Sequence, residues 1–386
     1  MAGGVFLSMT NITILGAGFA ALRTIRELRR RKVAADITVV APSDVFVYLP
    51  SLIWVPAGLR GEDQLTVPLA DFFAAHRVTF HCARVEGVGD DGRTVATSAG
   101  VVRNDALVIA SGGRFIRKLP GIEHAIVPCE GLAGARTIGE RLAALDSGTI
   151  AMGFASNPQE PSAMRGGPMF EFLFGIETLL RRQGRRDRFR LIFFNPAAQP
   201  GARLGPRAVS GLLGEMTRRG IATHLGHKPL RFEAQKVVTE GGEIAADLIL
   251  FMPGMTGPAW LDGTTLPRSP GGFVQADGTC RVPGLQRVYV AGDAGSFPGP
   301  DWMPKQAHQA DLHARAVAAN LAAELRGDEA SVRFKPELIC IVDTLESGML
   351  VYRSPRANLA LPGLRPLHWV KRAFERHYLG SIRRCR

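Results

Sequence analysis

The sequence predicts an α/β fold: two Rossmann-like units, the first interrupted by the second, followed by an amphipathic carboxyl-terminal extension. Three observations predict it. Ile12 to Ala21 reads as an apolar strand, a Gly16-Ala-Gly18 turn and the start of a helix. Val288 to Asp293, far downstream, reads as a buried strand ending in Gly292-Asp293. Between them, short apolar runs alternate with segments of helical periodicity, as expected of parallel sheets joined by helices.

The first segment is a dinucleotide fingerprint. Gly16 permits the turn, Gly18 lets backbone approach a pyrophosphate, and Ala21 allows close packing of helix on strand. The helix runs on through Leu22 to Leu28, and a second strand follows at Asp36–Val40, completing a βαβ unit. The acidic residue that ordinarily ends that strand is replaced by Ala41-Pro42, so ribose recognition falls to backbone groups or to Asp44. The carboxylate of Asp293, returning from so far along the chain, fits FAD, in which a distant Asp holds the ribityl chain. Ala106 to Gly113 is a further buried strand whose small residues, Ala110, Ser111 and Gly112, admit close approach of a flavin or its diphosphate.

The middle of the chain has its own pattern. Thr149–Phe154, Phe189–Phe194 and Ala246–Phe251 read as strands, and Phe170–Leu180 as a helix. A long helix follows from about Lys305 to Leu325. These readings divide the chain into a first FAD-binding part (9–114), a second dinucleotide-fold or substrate unit (115–270), a second FAD-binding part (271–330) and a carboxyl-terminal redox and membrane-association segment (331–386).

Composition narrows the class. The formal net charge is +12, which favours anionic partners, but no nucleic-acid module is recognisable. Runs such as Arg29–Lys32 and Arg181–Arg186 read as solvated helix ends, where cations complement the dipole. No apolar run approaches a membrane span. Met1 to Met9 lacks a charged start and an apolar core, so it reads as a short tail rather than a signal peptide. The five cysteines, Cys82, Cys129, Cys280, Cys340 and Cys385, form no C-x-x-C pair. That scatter signals neither a metal site nor a disulfide framework and suits a reducing cytoplasm. Cys82 and Cys280 read as buried, inert thiols.

Leu15–Ala21, Tyr48–Ser51, Val108–Gly112, Pro270–Val274, Val290–Asp293 and Met303–Lys305 occur in order. Together they resemble the sulfide:quinone oxidoreductases and the flavin subunits of flavocytochrome c sulfide dehydrogenase, within the two-dinucleotide-domain flavoproteins that also include type II NADH dehydrogenases. The resemblance implies a tightly held FAD, contacted through Gly16, Gly18, Phe19, Ala20, Ala21, Ala41, Asp44, Pro50, Val85, Ala110, Ser111, Gly112, Gly292, Asp293, Lys305 and Gln306. The helix opening near Lys305 would face the pyrimidine end of the flavin and stabilise negative charge there. It also implies Cys340 as the redox thiol, Cys129 as a second family cysteine and Glu171 as the acid/base carboxylate.

The departures are specific. The partner cysteine expected before Gly167-Pro168 is replaced by Arg165, and a histidine expected near a later glycine-rich loop is replaced around Arg203. A sulfur bridge between two cysteines therefore cannot form in the usual way. The start of the middle unit lacks a second Gly-x-Gly-x-x-Gly, and Pro158 and Pro161 disrupt a helix start there, which disfavours a nicotinamide cofactor.

Trp369, Val370, Ala373, Phe374, Tyr378 and Ile382 recur at helical spacing, with Lys371, Arg372, Arg376, Arg383 and Arg384 on much of the rest. Such a helix suits a bilayer interface, with Phe374 and Tyr378 at a quinone entrance. The reading is a peripheral enzyme on the cytoplasmic side of a membrane, passing electrons from a small sulfur compound through FAD to a quinone, with self-association left open. The alternatives are an NADH:quinone dehydrogenase and a flavoprotein that has lost sulfide chemistry.

Overall fold

In a computed structural model that describes residues 10–385, the chain forms two parallel sheets flanked by helices. The amino-terminal tail, Met1–Met9, lies outside the described residues. In chain order, the first sheet draws on β1 (Thr10–Leu15), which leads into helix α1 (Phe19–Arg30), then β2 (Ala35–Ala41), β3 (Val78–Cys82) and β4 (Ala106–Ile109). The second is built from β5 (Gly148–Phe154), helix α2 (Gly166–Arg182), β6 (Phe189–Asn195), β7 (Ala222–Leu225) and β8 (Leu248–Met252). The chain then returns to the first sheet with β9 (Val288–Val290) and helix α3 (Ala307–Leu325). Three antiparallel strands, β10 (Leu338–Asp343), β11 (Gly348–Ser354) and β12 (Ala357–Ala360), and helix α4 (Arg365–Arg383) complete it.

The first sheet has the order β9-β4-β1-β2-β3, all parallel, and the second β7-β6-β5-β8, also all parallel. Parallel strands buried on both faces need continuous apolar runs. Accordingly Ile12, Ile14 and Leu15 of β1, and all four residues of β4, are buried. The first sheet reverses its strand order between β1 and β4. The crevice outside the carboxyl ends of strands at such a point is where open α/β sheets bind ligands.

Helix α1 shows why this end is receptive. Its inward face, Ala21, Leu22, Ile25 and Leu28, packs into the core, each large side chain contributing about 1.5–3 kcal/mol. Its amino terminus has no side-chain cap and no acidic residue in the first turn, so its free N–H groups are left for an anion. The basic run at its other end is less solvated than the charge pattern implied. Arg29 is fixed by the carbonyls of His76, Val33, Ala35 and Arg77, which tie α1 to the edge of the sheet.

Three other details differ from the sequence reading. Helix α2 begins at Gly166, not Phe170, because Gly166 and Gly167 fit against neighbouring side chains and Pro168 is tolerated in a first turn. Lys305 lies two residues before α3, which starts at Ala307 behind the extended Gln306. Cys82 is exposed at the carboxyl end of β3, an edge strand, whereas Cys280 is buried. Among the described residues no helix is long and apolar enough to cross a membrane.

Candidate active site

A cavity of about 1190 Å³ opens from the strand-reversal crevice and runs between α2, α3, β10 and α4. Its first end is the glycine turn. Gly16 adopts φ +103°, and its N–H donates to the Val40 carbonyl at 2.8 Å, which locks the turn onto β2. A Cβ at Gly18 would meet nothing within 4 Å, so the protein leaves that position open at the amino terminus of α1. The turn, the uncapped helix end and the open space together fit a diphosphate. Phe19, Ala20, Pro50, Ala110, Ser111 and Gly112 also line this end, whereas Ala21 is fully buried behind it. Ala41, Asp44 and Val85 are not in the cavity wall. The Ala41 carbonyl is taken by Ala83 and the Asp44 carbonyl by Leu69.

Gly292, Asp293, Lys305 and Gln306 form the middle of the wall. Gly292 has φ +71°, and its N–H donates to Nδ1 of the buried His313 at 3.3 Å, which holds the β9–α3 connection in place. Burial keeps that imidazole neutral, down to about 3, so its nitrogen is free to accept. Asp293 is gripped by Arg165 at 2.5 Å. Burial opposes the Arg165 charge, but the neighbouring Asp293 outweighs it and holds the guanidinium above its ordinary value. Lys305 donates to the Gly295 carbonyl at 2.7 Å, sits 3.6 Å above the Phe273 ring and lies 3.9 Å from Glu160. Burial lowers its pKa.

The far end collects the chemistry. Cys129, Glu171, Cys340, Arg203 and Lys371 all line the same cavity. Cys340 stands on β10 beside the first turn of α2, where a Cβ on Gly167 would lie 3.5 Å from its Sγ. Burial pushes both Cys340 and Cys129 up to about 12, so at neutral pH each is a thiol. Burial also pushes Glu171 up to about 7 against the opposing pull of Lys371, whose ammonium donates to it. The Asp343 N–H donates to the same Glu171 oxygen at 2.9 Å. Asp343 is buried and accepts from Trp54 Nε1 at 3.0 Å and pairs with His368 Nδ1 at 2.7 Å. The sequence pattern puts Lys371 on a polar outer face and marks neither His368 nor Asp343. In the fold, α4 turns His368, Lys371, Glu375 and Ile382 inward. The signal was present, because these positions recur at helical spacing, but they are mostly polar and a hydrophobic pattern does not mark them.

The outer face of α4 is apolar at one place. Trp369 is 63% exposed, Phe374 57% and Val370 40%, and Phe374 also lines the mouth of the cavity. Tyr378 turns inward instead, packing on Phe19 with ring centroids 5.1 Å apart and donating to Asp311 at 3.3 Å. The far half of α4 borders a separate groove that includes Arg372, Arg376, Arg383 and Arg384.

A protein-family model described as pyridine nucleotide-disulphide oxidoreductase matches residues 10–314. A sulfide-quinone reductase of Aquifex aeolicus is 23% identical over 401 residues, covering 97% of this chain and 91% of that protein. An NADH dehydrogenase-like protein of Mycobacterium tuberculosis is 26% identical over 303 residues, covering 74% of this chain and 72% of that protein. The crystal structure of the sulfide:quinone oxidoreductase from Aquifex aeolicus superposes with a TM-score of 0.88 at 21% identity, covering 97% of this chain and 92% of that one.

Proposed function

The chain belongs to the pyridine nucleotide-disulphide oxidoreductase family and is an FAD-dependent oxidoreductase; from that premise we propose that it carries electrons from a small sulfur compound, sulfide being the simplest, to a membrane-dissolved quinone. One observation carries the reading. A single cavity joins the cofactor cradle at Gly16 and Asp293 to a thiol and carboxylate at its far end, and its mouth is edged by an exposed aromatic on α4. The likeness to the sulfide-quinone reductase of Aquifex aeolicus supports the same choice.

Bound FAD supplies a two-electron acceptor that can also deliver electrons singly or in pairs. The protein's part is to hold and protonate. Gly16, Gly18 and the amino terminus of α1 would hold the diphosphate, and Asp293 the ribityl hydroxyls, with Arg165 neutralising that carboxylate. Lys305 would stabilise negative charge at the flavin edge. Cys340 presents sulfur to the donor, and its deprotonation is the costly step because its desolvated place in the cavity wall raises its pKa. Glu171, poised near neutrality, is the group placed to accept and release that proton. Lys371 keeps the carboxylate in position, and Trp54 and His368 hold Asp343, whose N–H donates to the same Glu171 oxygen. The units 9–114 with 271–330, and 115–270, would form the two walls of the site, and residues 331–386 its membrane side.

Cys340→Ser is expected to retain FAD while sulfide-driven bleaching of the flavin under anaerobic conditions slows by at least roughly a hundredfold. An unchanged bleaching rate in the variant would remove Cys340 from the reaction. No bleaching of the unaltered protein by sulfide would remove the sulfur donor.

The membrane part has its own test. Replacing Trp369 and Phe374 together by alanine is expected to reduce cosedimentation with phospholipid vesicles several-fold while FAD content stays the same, since interfacial anchoring scales with the apolar area inserted. Equal cosedimentation would show that this face is not the anchor.

The NADH alternative is disfavoured by the loop after β5. Asn157 there is buried and donates to the carbonyls of Met255 and Gly271, and Phe154 packs its ring where a Cβ on Gly166 would lie at 2.7 Å. That strand end therefore lacks the open glycine turn that would receive a second pyrophosphate. Rapid bleaching by NADH would favour that alternative instead.

A further inference from the structure

Four cations line the inner part of the cavity, Arg165 and Lys305 at its middle and Lys371 and Arg203 at the Cys340 end. Three of them face a carboxylate, namely Asp293, Glu160 and Glu171. Arg203 has none among the described residues. Its Nη1 and Nη2 instead donate to the carbonyls of Ser162 at 2.9 Å and Met164 at 2.8 Å, in the segment leading into α2. Its own carbonyl accepts from Arg353 at 2.7 Å, so backbone and side chain are both fixed. We propose that Arg203 is one half of an anion site, and that the cavity takes its small-molecule sulfur substrate as an oxyanion, either a carboxylate borne by a thiol or a sulfur oxyanion, held against this guanidinium beside the Cys340 sulfur. The inference rests on the sulfur-donor reading above and narrows it.

Three physical arguments support it. Arg203 is partly enclosed and touches no carboxylate, Asp293 acting on it only from a distance while paired with Arg165, and a cation so placed favours a ligand of opposite charge. Burial brings Arg203 down to about 10, which leaves it charged at neutral pH. Cys340 is not the missing anion at rest, because it is itself pushed up to about 12. Second, the amino terminus of α2 adds positive potential at the same place, since Gly166 and Gly167 open the helix next to Cys340. Third, a planar guanidinium whose orientation is set by two carbonyls is suited to a ligand with two oxygens and much less to a single-centre sulfide anion. In the resemblance noted above a histidine is expected around Arg203 and a cysteine at Arg165, and both places carry positive charge in this sequence.

The test is titration of the FAD-loaded protein with four probes, followed by perturbation of the flavin absorption spectrum: mercaptoacetate, thiosulfate, sulfite and the neutral thiol 2-mercaptoethanol. At least one anionic probe should bind roughly tenfold or more tightly than 2-mercaptoethanol. Arg203→Gln should abolish the preference and Arg203→Lys should reduce it, while Arg207→Gln, an exposed neighbour, should leave it intact. Tighter binding of mercaptoacetate assigns a carboxylate substrate, and tighter binding of thiosulfate or sulfite a sulfur oxyanion. Equal binding of the neutral thiol by the unaltered protein, which needs no variant to fold, overturns the proposal, as does an unchanged preference in Arg203→Gln. If sulfide bleaches the flavin without any preference for anions, the anion site fails and the sulfur-donor reading stands. If anions bind through Arg203 but no sulfur compound reduces the flavin, the reverse holds.

Discussion

Gly16→Ala is expected to yield colourless protein. The reason lies in backbone, not in side chains. The residue sits at φ +103°, which an L side chain rarely adopts, and its Cβ would stand 2.5 Å from the Ala110 carbonyl oxygen and 2.9 Å from both the Ala110 carbonyl carbon and the Ser111 Cα. None of these atoms can rotate away, because β4 is hydrogen-bonded between β1 and β9. Relieving the overlap means parting β1 from β4 at the ligand crevice. The backbone strain alone is about 1–3 kcal/mol, and the steric overlap adds to it. Loss of FAD affinity by at least roughly a hundredfold follows, together with a lower melting temperature of the FAD-free protein.

Gly18→Ala separates the two effects. Its Cβ meets no protein atom within 4 Å, so the FAD-free variant should melt as the unaltered protein does, yet FAD should bind more weakly because the methyl occupies the open space in front of α1. The flavin-to-protein absorbance ratio and calorimetry of the stripped proteins read both quantities. Full FAD content in Gly16→Ala would mean that the glycine turn is not the cofactor cradle.

The contrast between these two glycines also shows what a sequence can disclose. Local chemistry is legible. An apolar run, a glycine turn and a helical period specify β1 and α1 within a residue or two, and Gly292-Asp293 after β9 is legible because the strand before it is short, apolar and abruptly ended. Pairings between distant segments are not. Arg165 and Asp293 are 128 residues apart, and nothing about either marks the other. Nothing in the sequence around Arg203 marks the two carbonyls that the fold places against it. Helix α4 is legible only in part for the same reason. Its apolar positions stand out, but what it turns toward β10 and α2 includes a lysine and a histidine whose partners, Glu171 and Asp343, lie on those two elements. Free cysteines usually lie inside, but Cys82 is outside because it ends β3, an edge strand.

The buried pair on α4 and α2 carries the second large expectation. Glu171 is 5% exposed and Lys371 lies against it, also reaching the Ile341 carbonyl at 3.2 Å. Burial works against both charges. Each nevertheless helps the other: Glu171 raises the Lys371 pKa, and Lys371 restrains the rise at Glu171. Lys371→Met removes the cation and leaves the carboxylate. Stranding one member of a buried pair costs about 3–5 kcal/mol, a large fraction of the stability of a typical domain. The pH dependence has a definite sign. A carboxyl group whose pKa is higher folded than unfolded binds more protons when folded, so stability falls as pH rises between the two values. In the unaltered protein that interval runs from about 4.3 unfolded to about 7 folded. Without Lys371 the folded value rises further and the interval extends upward. The deficit of Lys371→Met should therefore be smallest in acid and largest above neutrality, and Lys371→Met combined with Glu171→Gln should recover most of the melting temperature by removing the charge. Donor-driven reduction of the flavin should not recover in that double variant, because the proton-carrying carboxylate is gone. A melting deficit independent of pH would show that Lys371 acts through packing on Trp54, whose ring lies 5.9 Å from its Nζ, and not by compensating Glu171.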